Sequence, residues 1–190
     1  MNMHIDENKI VGLCKQGDLE KFTLLYDIYA SKIFRFVYYK TTHKETAEDI
    51  TSETFIKALK GIDKFDNRKG TFQAWLFRIA RNTVIDYYRT RKDISDIDNV
   101  WGLSDGDDVV GNIENKDNVE RIKKYMSKLT PRQREIIILR VWEDMPYKEI
   151  AEIIGETEAN CKMIFSRTIK KIKQDMHPIV VLLLLMTLRV

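Results

Sequence analysis

The chain has 190 residues, 44% of them hydrophobic, with 32 Lys and Arg against 29 Asp and Glu for a net charge of +3. That length can bury one large core or two small ones. Two distant cysteines, Cys14 and Cys161, and three isolated histidines form no disulfide framework and no zinc motif, and no glycine-rich phosphate loop or nucleophile–base grouping stands out, so no enzyme, cofactor or metal site is expected. The unpaired cysteines fit a reduced, cytoplasmic setting, and the start MNMHIDENK lacks the basic and apolar runs of a signal peptide.

In chain order, an acid at the head of 6–16 caps a short helix, which Gly17 breaks. From Asp18 the apolar residues Phe22, Leu25, Tyr26, Tyr29, Ile33, Phe36 and Val37 keep helical spacing and predict a helix over 18–41. Thr42 and Glu45 have the spacing of a capping box and open a helix to about residue 60, closed by Gly61. Ala47, Ile50, Thr54, Phe55, Ala58 and Leu59 turn inward there, leaving Glu45, Glu48, Asp49, Ser52, Glu53 and Lys57 outside. That acidic outer face suits a basic protein surface, and it equally suits plain solvation.

A polar loop follows, with Asn67, Arg68 and Lys69 at its tip, where amide and guanidinium groups are able to hydrogen-bond an unstacked base. The helix over 71–92 reads as two faces. Phe72, Trp75, Leu76, Ile79, Ala80, Thr83, Val84 and Tyr87 make a buried stripe, while Phe77, Arg78, Arg81, Asn82, Ile85, Tyr88, Arg89 and Lys92 interleave cations with rings. Such a face grips phosphates and stacks bases, although an ordinary basic face with a second packing contact has the same composition.

Residues 93–118 hold eight acids and one base, leaving 31 bases and 21 acids, a net +10, in the rest of the chain. The segregation points to a polyanionic partner and makes 93–116 a flexible acidic linker. Beyond it, Val119, Ile122, Tyr125, Met126 and Leu129 mark a helix. Thr130, Pro131 and Gln133 start the next, which runs through Trp142. Pro146 opens a further helix that Gly155 stops. Thr157 then caps a last one from Glu158 to about Gln174, which bears Asn160, Lys162, Arg167, Lys170 and Lys171. Two helices about a glycine turn fit a helix-turn-helix whose second member enters a major groove.

These residues carry a family resemblance. Phe22–Asp27 (FTLLYD), Ala47–Ala58 (AEDITSETFIKA), Phe72–Asp86 (FQAWLFRIARNTVID), Leu129–Glu135 (LTPRQRE) and Tyr147–Gly155 (YKEIAEIIG) occur in family order, and over about residues 10–173 the chain resembles a bacterial RNA polymerase sigma factor of the extracytoplasmic-function (ECF) type. The resemblance implies an all-α protein of two small helical domains, 1–92 and 117–176, joined by the linker 93–116, with an apolar tail over 177–190. It implies a non-catalytic initiation factor whose partners are core RNA polymerase, promoter DNA as duplex and as melted nontemplate strand, and an anti-sigma factor.

Carried over residue by residue, Glu48, Asp49 and Glu53 face the polymerase clamp. Asn67, Arg68 and Lys69 receive a flipped base of the minus-ten element, with Trp75, Arg78, Arg81, Asn82, Tyr88 and Arg89 along the strand. Tyr147, Lys148, Thr157, Asn160, Lys162 and Arg167 meet the minus-thirty-five element. Two departures stand out. The stretch Glu156–Cys161 and Ile164 replace the residues common in the recognition helix, so no promoter sequence is implied, and residues 177–190 lie outside the family pattern. Alternatives are a stand-alone helix-turn-helix regulator, and a membrane-associated interaction protein that uses the tail.

Overall fold

The computed structural model describes residues 6–41, 43–91, Met126 and 128–175; the acidic run 93–116 and the apolar run 177–190 lie outside them. Backbone proximity divides the chain into two units, Met1–Ile97 and Asp98–Val190. Among the described residues there is helix and no strand, and no helix is long and apolar enough to cross a membrane.

In the first unit, α1 (Glu7–Lys15) begins where Asp6 accepts from the Lys9 amide at 3.2 Å. Gly17, at φ +98°, turns the chain in the left-handed region that other residues avoid. A single 3₁₀ turn, Leu19–Lys21, occupies the place predicted as the start of a long helix, and α2 runs from Phe22 to Thr41. Next come α3 (Lys44–Gly61) and α4 (Phe72–Arg91), which pack on each other and both on α2. Leu25, Ile33, Phe36 and Val37 of α2, Ala47, Ile50 and Ala58 of α3, and Leu76, Phe77 and Ala80 of α4 are almost fully buried. Each large side chain among them contributes roughly 1.5–3 kcal/mol by leaving water. Thr54 and Thr83 are as deeply buried, and each hydroxyl is satisfied by a carbonyl one turn back, at 2.7 and 2.9 Å.

The placement of Phe77 and the cap of α3 differ from expectation. Phe77 belongs to the core and not to the exposed face of α4: its ring meets Phe36 edge-on at 5.1 Å, because α4 is covered by α2 as well as α3 and buries a wider arc than one stripe. The cap of α3 is His43, whose Nδ1 accepts from the Thr46 amide at 3.3 Å, one residue later than the predicted Thr42–Glu45 box. As expected, α3 ends at Gly61, here at φ −103°, and the 3₁₀ turn Ile62–Lys64 follows directly.

In the second unit, of the predicted first helix only Met126, Lys128 and Leu129 are described. Then α5 (Pro131–Ile137) begins with the predicted capping box: Thr130 Oγ accepts from Gln133 N at 3.3 Å and Gln133 Oε1 accepts from Thr130 N at 3.0 Å. It continues to Trp142 as a π-helical turn, Ile138–Trp142, which the sequence did not announce. Arg134 is buried and donates to the carbonyls of Met126 and Leu129 at 3.0 and 3.3 Å, and burial pulls its guanidinium below its ordinary pKa. Next, α6 (Tyr147–Ile154) ends at Gly155, φ +74°, and α7 (Glu158–Asp175) starts after Thr157, whose hydroxyl accepts from Asn160 N at 3.2 Å. Ile150, Ile153 and Ile154 of α6 and Cys161, Thr168 and Ile172 of α7 join Ile136–Leu139 in the core. Each unit thus has one buried cysteine, and burial raises the pKa of both thiols.

Candidate functional site

The loop between α3 and α4 closes one side of a cleft of about 410 Å³, and α1 closes the other. Its walls are Asn8, Val11, Gly12 and Lys15 from α1 and residues 63–69 from the loop. Phe65 anchors the loop: its ring is buried between Phe72 at 5.8 Å and Trp75 at 5.3 Å, and its carbonyl accepts from Lys15 Nζ, tying α1 to the loop. At the tip, Asp66 accepts from the Arg68 side chain and backbone. These bonds, the side-chain ones foremost, lower the Asp66 pKa to about 2. Asn67, Arg68 and Lys69 are all exposed on the rim. The cleft is lined mostly by polar groups, with two amides and the cations Lys15, Lys64, Arg68 and Lys69 outnumbering the carboxylates of Asp63 and Asp66, a composition that can take one flat, polar group attached to an anionic chain.

Along α4 the sequence-predicted residues separate. Arg78, Asn82 and Arg89 are exposed at four- and seven-residue steps and so share one stripe, Arg89 pairing with Asp86 at 3.0 Å. Arg81 is half-buried. Trp75 is also half-buried, packed on Phe65 and Phe72 and in ordinary contact distance of where a side chain on Gly61 would stand. Tyr88 turns back to the bundle, its hydroxyl 3.5 Å from the Lys40 carbonyl.

On α3, Glu48, Asp49, Ser52 and Glu53 are exposed together with Ile56, at steps that hold them on one face. Glu53 pairs with Lys57 at 2.8 Å, and Lys57 also donates to Thr83 on α4.

In the second unit Tyr147 stands edge-on to Phe165 at 5.7 Å, with the Arg140 guanidinium 5.1 Å and Lys162 Nζ 5.9 Å from its ring centre. Lys148, Thr157, Lys162 and Arg167 are exposed. Asn160 is not: its amide donates to Glu156 at 2.6 Å, and the other Glu156 oxygen takes Arg132 at 2.6 Å. Among the described residues no cluster of His, Cys, Asp and Glu is placed to hold a metal ion.

The Sigma-70 region 2 pattern matches residues 25–94, and the Sigma-70 region 4 pattern matches residues 120–172. SigM of Bacillus subtilis, an ECF RNA polymerase sigma factor, is 32% identical over 150 residues, covering 78% of this chain and 91% of SigM. The chain belongs to the ECF sigma factors. SigW of the same organism is 33% identical over 162 residues, 77% of this chain and 84% of SigW. BldN of Streptomyces coelicolor is 31% identical over 170 residues, 85% of this chain but only 62% of the length of BldN. Among solved structures, the sigma factor RpoE in complex with the anti-sigma factor NepR from Bartonella quintana superposes with TM-score 0.65 at 25% identity, over 82% of this chain and 96% of RpoE.

In this ECF sigma factor α3, α4 and the 63–69 loop fall inside the region 2 match while the α1 wall of the cleft precedes it, and α5, α6 and α7 fall inside region 4 save the last residues of α7. Sequence reasoning missed two groups. Asn8 and Lys15 reach the cleft from far along the chain, which only tertiary packing reveals. Glu156 passed as a turn residue although it joins Arg132 to Asn160; its place four residues before an amide-bearing position was the available signal.

Proposed function

We propose that this sigma factor binds core RNA polymerase through the acidic face of α3, with Glu48, Asp49 and Glu53 against a basic protein surface, and captures a melted promoter strand with its first unit. The carrying observation is the cleft between α1 and the 63–69 loop. In it Asn67, Arg68 and Lys69 take an extruded base, with Asn8 and Lys15 as the opposite wall, while Arg78, Asn82 and Arg89 follow the phosphates. Trp75 supports this role from below as the packing partner of Phe65, and Tyr88 by bracing α4 on α2. Hydrogen bonds of this kind favour melting because they form only after the base has left the stack.

In the second unit, α7 lies in the major groove of an upstream duplex element, with Lys162 and Arg167 toward phosphate or base edges and Tyr147, Lys148 and Thr157 at the entry. Residues 93–116 serve as the linker between the two. The sigma factor lends specificity and carries no chemistry of its own. The likeness to RpoE, solved with NepR, supports an anti-sigma factor as a further partner. Run-off transcription on genomic fragments tests the whole reading: core polymerase with the protein should initiate at discrete sites, and core polymerase alone should not. Unchanged transcript patterns would overturn it.

A further inference from the structure

α7 departs from the usual basic recognition surface by carrying a carboxylate on its outward side. Glu158 and Lys162 are exposed one turn apart, with Lys162 Nζ 2.5 Å from Glu158 Oε1. Lys162 is further positioned by the face of Tyr147, which Phe165 in turn supports. The pair therefore presents an acceptor and a donor side by side from a braced platform.

An unpaired carboxylate at the DNA surface is repelled by phosphates, so Glu158 weakens binding to every sequence unless it meets a donor. The major groove supplies donors at the amino groups of cytosine and adenine, and carboxylates pair with cytosine N4. In a C·G pair that N4 donor lies one hydrogen bond, about 2.9 Å, from the guanine O6 acceptor. Acceptor and donor on the protein match donor and acceptor on the base pair at nearly the same spacing, and the internal ion pair cancels the charge that phosphates would otherwise oppose. Asn160, the other candidate reader on this turn, has one amide proton committed to Glu156 and through it to Arg132, which makes it a positioning residue for the start of α7.

We infer that the Glu158–Lys162 pair reads one C·G base pair of the upstream duplex element, Glu158 accepting from cytosine N4 and Lys162 donating to guanine O6 or N7. This rests on the proposed docking of α7 in the major groove. Holoenzyme made from core polymerase and the full chain is used to select upstream elements from a promoter library randomised there. The wild type should enrich C·G at one position. Glu158→Ala should lose that preference by about tenfold, leaving the other positions unchanged. Lys162→Ala should affect the same position, and Glu158→Gln, which keeps an acceptor oxygen, should retain part of the preference. The same consensus from Glu158→Ala, with uniformly tighter binding, would make Glu158 a mere repulsive charge and overturn the inference; so would effects of the two alanine variants at different positions. Glu158→Gln indistinguishable from Glu158→Ala would also overturn it. Failure of the underlying reading looks different: wild-type holoenzyme then selects no upstream sequence at all.

Discussion

Asp66 closes a ring on Arg68, accepting from its Nε and Nη2 at 2.9 Å each and from its backbone amide at 3.1 Å. The loop tip is thus ordered by two residues that it presents to solvent. With the folded pKa at about 2, below the ordinary carboxylate value of 3.8, the contribution is whole above about pH 4 and is lost as pH falls through 2. A carboxyl titration by NMR should give a midpoint near 2 for Asp66. A midpoint at the ordinary value would mean that the ring is open in solution.

Asn67→Ala combined with Arg68→Ala should reduce open-complex formation more than closed-duplex binding, since contacts to an extruded base stabilise only the melted state. Permanganate reactivity beside gel shift separates the two steps, and equal losses in both would assign these side chains to the backbone alone.

Reversing Asp49 and Glu53 to Lys should abolish co-purification with core polymerase and leave the far-UV spectrum unchanged. Both side chains are exposed, and each desolvated charge pair contributes on the order of 1–3 kcal/mol. Undiminished co-purification would show a face that is only solvated.

Phe77→Ala should cost about 3–5 kcal/mol of first-unit stability, read by urea unfolding, because its ring is fully buried against Phe36. An exposed Phe77, as the helical stripe alone suggests, would cost under about 1 kcal/mol.

His43→Ala should cost about 1 kcal/mol by removing the acceptor for the Thr46 amide, and His43→Ser should restore it. Equal melting of the two variants would show the cap to be dispensable.

Local chemistry was the legible part of this fold. Thr130, Pro131 and Gln133 announce α5 because a capping box and a first-turn proline act within four residues, and Gly155 announces the end of α6 because its φ of +74° suits glycine. Phe77 misled because periodicity marks one buried stripe, whereas contact with both α2 and α3 widens it. Thr42 and His43 are adjacent and each has a side-chain acceptor, so spacing alone does not choose between them. At the site, the exposed residues Arg78, Asn82, Lys162 and Arg167 were readable from composition. The α1 wall of the cleft was not, since Asn8 and Lys15 join it only through packing against a loop about fifty positions or more along the chain.

The buried thiols have a use of their own. The chain has two cysteines, Cys14 in the first unit and Cys161 in the second, both almost wholly shielded and with raised pKa values, so a thiol reagent meets neither until its surroundings open. When reclosing outpaces the reagent, each labelling rate scales with the open population at that cysteine. The molecule therefore carries two built-in clocks, one for each unit, and mass spectrometry of the two peptides times their breathing separately in the unmodified protein.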